Sequence, residues 1–179
     1  METLTQISVP TREEVNTDSQ QIFDQLKNQM GMVPNLYATI GHSSNALSGF
    51  LAFSANASNG VFSNKEIEAI KLAVSEANGC RYCKSAHTAI AKMNGFSQEE
   101  TYKLRTATIE DEKLNVLTSL AKEVAENAGN ATAATRERFF ALGYNEEALF
   151  DFVSVVIAVT FTNYAYALSQ IEVDFPVVD

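Results

Sequence analysis

The stretch ALFDFVSVVIAVTFTNYAYAL, Ala148 to Leu168, constrains this chain more than any other. Twenty-one residues with one charge are long enough to span a bilayer, which takes ~20 apolar residues. The run nevertheless carries Asp151, Ser154, Thr160, Thr162 and Asn163, and no basic residues flank it. A charge or amide is costly in lipid, and spanning helices are usually anchored by basic or aromatic residues at their ends. The segment therefore predicts a helix buried all round, in the core or at a subunit interface, with no membrane partner. Val153 to Thr162 is rich in β-branched residues, but the length and flanks of the run favour helix over strand.

The punctuation of the remaining chain is also helical. Thr17 begins T-x-x-Q, Ser63 begins SNKE and Ser97 begins SQEE. Each has the pattern of a capping box, in which a hydroxyl takes a backbone N–H and a later side chain reaches back. Gly31, Gly60, Gly79, Gly95, Gly129 and Gly143 follow apolar-periodic runs, as helix-closing glycines do. Helices are predicted near 18–29, 34–41, 44–58, 64–77, 80–93, 98–107, 110–127, 132–142 and 146–169. The expected fold class is all-α, as a single domain over residues 1–179. Residues 1–16 are expected to be extended. The tail IEVDFPVVD, 171–179, should lie extended on a neighbouring surface or fray. A net charge of −9 argues against a nucleic-acid partner, which attracts basic patches. METLTQISVPTREEV has neither a basic start nor an apolar core, so the expected location is cytoplasmic.

Both cysteines, Cys80 and Cys83, and one of the two histidines, His87, fall within ANGCRYCKSAHTAI. Asn78-Gly79 signals a turn between two helices. Cys80 then stands at a helix start, where free N–H groups and the helix dipole favour a thiolate; Arg81 and Lys84 add positive charge. Spacings of three and four place Cys80, Cys83 and His87 on one helical face. Glu68 precedes the turn by about as many residues as His87 follows it, so an antiparallel pair of helices brings them to similar heights. A carboxylate–imidazole–thiol chain would result. Plainer readings stand beside it. Glu68 pairs with Lys71 on a solvated face, or His87 is a core histidine with a satisfied hydrogen bond. Zinc would need a fourth ligand beyond the two cysteines and His87, and only His42 is left. A thioredoxin-like fold puts its C-x-x-C after a strand, whereas an apolar-periodic helix precedes this one. His42, in TIGHSS, is expected to cap the following helix or lie on the surface, with the pocket as the alternative.

The pattern E-x11-C-x2-C-x3-H, realised by Glu68, Cys80, Cys83 and His87, resembles the signature of the AhpD-like alkylhydroperoxidases within the carboxymuconolactone decarboxylase family. KEIEAIKLAVSEANGCRYCKSAHTAIAKMNGFS is similar to the family core, and GMVPNLYATIGHSSNALSGFLAF to the segment upstream in its peroxidase-related branch. The resemblance spans roughly residues 30–170. It implies an AhpD-like helical bundle with a redox core about 60–96 and the C-x-x-C at the start of a helix in a helical hairpin. It implies a dithiol peroxidase for organic hydroperoxides, with no cofactor and no metal. Cys83 would attack the peroxide and Cys80 would resolve the sulfenic acid to a disulfide. Glu68 and His87 would relay the proton. It also implies homo-oligomers, trimers or hexamers, and a dithiol reductant protein of lipoyl or thioredoxin type. Tyr82 departs from the pattern: the founding enzymes have a histidine there, so that branch of the relay is open. Two alternatives remain, a lactone decarboxylase-like lyase using His87 and Glu68, and a non-enzymatic redox-sensing oligomer.

Overall fold

The structure, a computed structural model, describes residues 7–178. Among them are nine α-helices and no strand. They are α1 Thr17–Met30, α2 Asn35–Ile40, α3 Ser44–Ala57, α4 Asn64–Ala77, α5 Arg81–Met93, α6 Gln98–Thr106, α7 Glu112–Glu126, α8 Ala133–Ala141 and α9 Glu146–Ser169. Each falls on a predicted segment. The expected extended N-terminal stretch is interrupted by a 3-10 turn at Arg12–Glu14, because the Thr11 N–H and hydroxyl both donate to Glu14. The first six residues of that stretch lie outside the described residues.

Two capping boxes form as read. Ser63 N–H donates to Glu66 at 2.8 Å and Ser97 N–H to Glu100 at 2.7 Å, and each serine Oγ accepts in return. The third does not. Asn16, in extended backbone, caps α1 by accepting from Ser19 N–H at 2.9 Å, and Thr17 is already helical. Five of the six glycines have positive φ; Gly60 does not. Glycine is needed there for space, since a Cβ would collide with the Asp151 side chain.

α4 is the hub, packing against α5, α6, α7 and α9. Every residue from Glu66 to Ser75 is buried except Lys71. Within the single chain, all-round burial is reached by α4, whereas α9 is buried on one face. α9 buries Phe152, Val155, Val156 and Val159 in the core shared with α4 and α7. Its opposite face leaves Phe150, Val153, Ile157, Phe161, Tyr164 and Leu168 exposed. Those positions recur every three or four residues, the spacing of one helical stripe. An apolar circumference demands cover but does not specify that the same chain supplies it.

A second cluster joins Leu36 and Ile40 of α2, Leu47 of α3, Cys80, Cys83 and Tyr82 of the α5 start, and Ile171 of the tail. The tail is extended on α2 and α5, one of the two outcomes expected; Asp179 lies outside the described residues.

Glu66 ties α4 to its surroundings. One oxygen accepts from the Ser63 N–H and hydroxyl, the other from Tyr144 Oη and Lys113 Nζ, both at 2.6 Å. Burial alone would raise its pKa, but the Lys113 cation and the Ser63 and Tyr144 donors outweigh it and bring the value from 4.5 to about 2. A depressed folded-state pKa stabilises the fold above about pH 4.5, and that contribution is lost as pH falls toward about 2. Glu66→Gln should lower the melting temperature at neutral pH. The gap to wild type should close between about pH 4.5 and about pH 2. A constant gap in thermal melts over that window would contradict this.

Candidate active site

The site starts at the α4–α5 turn. Gly79 takes φ +64, open to glycine at little cost, and turns the chain so that Cys80 N–H reaches back to Ser75 O at 2.9 Å. Cys80 is then the N-cap of α5, its Sγ accepting the Cys83 N–H at 3.1 Å. The two cysteines form a disulfide with a Cα–Cα distance of 5.3 Å, within the usual range.

The short turn sends α5 back along α4, and Glu68 meets His87 with Oε2–Nδ1 2.8 Å. Lys71 also contacts Glu68, Nζ–Oε1 3.3 Å, so both pairings inferred for this carboxylate exist together. They do so in the interior: Glu68 is 4% exposed. Burial pushes the Glu68 pKa up, but the His87 and Lys71 charges and hydrogen bonds overcome it and the net shift is downward. The carboxylate is thus ionised at neutral pH. It holds the Nδ1 edge of His87, leaving Nε2 for proton exchange.

A small apolar cavity of about 60 Å³ opens beside this pair. Cys83 and His87 line it, with Leu36 and Tyr37 of α2, Thr162 of α9 and Phe175 of the tail among its walls. Cys80 is absent from that lining although it is equally buried. Thr162 Oγ1 lies 3.9 Å from Cys83 Sγ. Asn163 bonds Asn78 across the turn at 2.8 Å, and Asp151 accepts from Val61 N–H at 2.9 Å. Three of the polar residues in the apolar α9 run thus have specific partners.

The other candidates are placed differently. Tyr82 is buried and its hydroxyl is committed, donating to Asp174 at 2.6 Å and accepting from Leu36 N–H at 3.3 Å. Burial and the Asp174 carboxylate push its pKa up. It bonds neither cysteine nor His87, but its side chain belongs to the cavity lining together with Cys83 and His87. His42 neither caps nor faces the cavity. It is exposed, with Nε2 3.0 Å from Ser8 O, while Ser43 caps α3 through Ala46 N–H. Lys84 is paired with Glu76 at 3.4 Å, so its charge is shared with that carboxylate. Leu36, Tyr37, Asp174 and Phe175 were not foreseen; the tail residues carry no periodic or motif signal. Thr162 did carry one, as a hydroxyl in an apolar run.

The all-α bundle with a C-x-x-C disulfide at a helix start is similar in fold to AhpD core structures. A peroxidase-related protein from Ralstonia eutropha JMP134, described as an AhpD core, superposes with a TM-score of 0.82 at 20% identity, over 97% of this chain and 94% of that one. A peroxidase-related protein from Silicibacter sp. TM1040 gives 0.79 at 21%, over 95% and 91%. The debrominase Bmp8, in complex with 2,3,4-tribromopyrrole, gives 0.78 at 19%, over 97% and 93%. At these identities the likeness is one of fold. No curated protein matches the sequence. The model of the carboxymuconolactone decarboxylase family matches residues 45–126, the segment that holds Glu68, Cys80, Cys83 and His87.

The Glu68–His87 contact predicts an effect on sulfur chemistry that an exposed ion pair would not have. Glu68→Gln should slow peroxide oxidation of the reduced dithiol by about 10²–10⁴-fold and change its pH profile, the usual worth of general acid–base assistance. Lys71→Ala should do far less. Second-order rates from about pH 5 to about pH 9 decide it, and superimposable profiles for wild type and Glu68→Gln would exclude Glu68.

Proposed function

We propose that the chain is a dithiol peroxidase that reduces organic hydroperoxides without a metal or cofactor. The observation that carries this is that Cys83 and His87 line one apolar cavity, with Glu68 behind the imidazole and Cys80 disulfide-bonded to Cys83. The Cys83 thiolate attacks the terminal peroxide oxygen and the O–O bond breaks. The departing alkoxide takes a proton from His87, giving the alcohol and a Cys83 sulfenic acid. Cys80 attacks that sulfur, water leaves, and the disulfide forms. A protein dithiol of lipoyl or thioredoxin type, in a reducing cytoplasm, supplies the two electrons that restore both thiols. The apolar walls suit the organic part of a hydroperoxide.

The same proposal includes a homo-oligomer, trimeric or hexameric, sealed by the exposed stripe of α9. Ile157 is 51% exposed at the middle of that stripe. Burying such a face recovers ~25 cal/mol per Å² of apolar area. Val156, one residue away, is buried in the chain's own core and would report folding instead. Ile157→Glu should reduce the mass found by light scattering to that of a monomer with little change in helicity. A monomeric wild type, or an unaltered oligomer, would refute the seam.

The chemistry is tested with the cysteines. Cys83→Ser should abolish hydroperoxide consumption under continuous dithiol supply. Cys80→Ser should consume one equivalent and accumulate a sulfenic acid on Cys83, seen by mass spectrometry after trapping. Oxidation of Cys80 in the reciprocal variant would reverse the roles. A lyase using only Glu68 and His87 would keep its activity in Cys83→Ser. A redox sensor would oxidise once without turnover. Bromide release from a brominated aromatic, absent peroxide consumption, would favour dehalogenation.

A further inference from the structure

The C-terminal segment 171–178 is a strap tied down on both sides of one aromatic residue. Before it, Asp174 uses both oxygens: Oδ1 accepts from Tyr82 Oη at 2.6 Å and Oδ2 from Asn35 N–H at 2.9 Å. Asn35 returns a bond from its side-chain amide to Glu172 O at 3.2 Å. After it, Val178 N–H donates to Ser85 Oγ at 3.2 Å. Between these ties Phe175 sets its ring edge-on to Tyr82, centroids 5.6 Å apart and planes at 85°, and lines the cavity with Cys83 and His87. Tyr82 immediately precedes Cys83 and is buried, whereas Phe175 is only partly so. Phe175 is therefore one of the solvent-facing walls of the cavity at Cys83, beside Met30, Tyr37 and Ile90. The cavity, about 60 Å³ and open to the surface on one side, is well short of the ~150 Å³ apolar cavity that accepts a benzene ring.

We propose that Phe175, held by the Asp174 bonds to α2 and α5, sets the size of the organic group this site admits, favouring compact alkyl over aryl hydroperoxides. This rests on the peroxidase reading for the identity of the reacting group, but the wall itself does not. Asp174 acts as a positioning residue, since it touches Tyr82 and the α2 backbone and not the cavity. A residue so placed discriminates by excluded volume. Removing its ring leaves a slot of the same shape beside Tyr82, which an aryl group can fill with the same edge-to-face contact.

The test separates wall from chemistry by measuring binding of the two product alcohols to the disulfide form. 2-Phenylpropan-2-ol and 2-methylpropan-2-ol are titrated by ligand-observed NMR into wild type, Phe175→Ala, Phe175→Leu, Asp174→Ala and Asp174→Asn. Phe175→Ala should tighten 2-phenylpropan-2-ol at least about tenfold while 2-methylpropan-2-ol stays within about twofold. Phe175→Leu, which keeps apolar packing, should shift the same ratio less. Asp174→Ala should move the ratio in the direction of Phe175→Ala. Asp174→Asn, which keeps an oxygen acceptor, should restore most of the wild-type value. An unmoved ratio in both Phe175 variants, including no detectable binding by any of them, would overturn the proposal. Rates with cumene and tert-butyl hydroperoxide should follow the binding ratio. Selective 2-phenylpropan-2-ol binding by Phe175→Ala, with no turnover by any form, would uphold the wall and remove the peroxidase reading.

Discussion

An ionised carboxylate in the middle of a helical bundle must be answered by charge, and the Glu68–His87 contact is where this chain answers it. Lys71, three residues along the same helix, neutralises Glu68 without constraining anything beyond α4. His87 lies across the turn, so its bond fixes how far α5 slides along α4. That register in turn sets the height of Cys83, one helical turn before His87, and hence which sulfur meets the cavity. An apolar pair at both positions would pack without the desolvation penalty, and such replacements are often neutral or stabilising. On the peroxidase reading proposed above, the charged pair serves chemistry at the neighbouring sulfur.

The hairpin supplies the reacting groups but not their enclosure. α9 contributes Thr162 near Cys83 and Asn163 against Asn78, the latter fixing the turn from the side opposite to α5. α2 and the tail form the outer wall. The polar residues of α9 thereby have a purpose that a membrane or a plain core helix would not give them. Its apolar outer stripe, with Phe161 stacked on Phe50 of α3 at 5.0 Å, is left uncovered by the chain itself.

Legibility in the sequence followed the range of each interaction. The hairpin was readable because Glu68, Gly79, Cys80, Cys83 and His87 interact within 19 positions under fixed helical geometry. Helix boundaries were readable because caps act over three residues. Asn16 displaced Thr17 because both are capping residues and only the backbone decides which is extended. α4 escaped notice as the central helix because Glu66, Glu68, Lys71 and Glu76 give it a surface composition. Glu66 meets Lys113 and Glu68 meets His87, both from other helices, and the burial of these two carboxylates goes with that pairing. Asp174 and Tyr82 are 92 positions apart, and no spacing rule connects an acidic residue in a tail with a phenol at a helix start.

The placement of the sulfurs bears on how one opening could serve both halves of a redox cycle. Cys83 faces the cavity while Cys80 caps the helix behind it, so an oxidant and a reductant thiol entering by the same path both meet Cys83 first. When a thiolate attacks the Cys83 sulfur, Cys80 is the leaving group. Its Sγ already accepts the Cys83 N–H at the positive end of α5, which favours the departing thiolate. The same N–H can cap the helix before and after the S–S bond breaks. α5 therefore has no need to unwind between oxidised and reduced states, and the Glu68–His87 register would survive the proposed cycle.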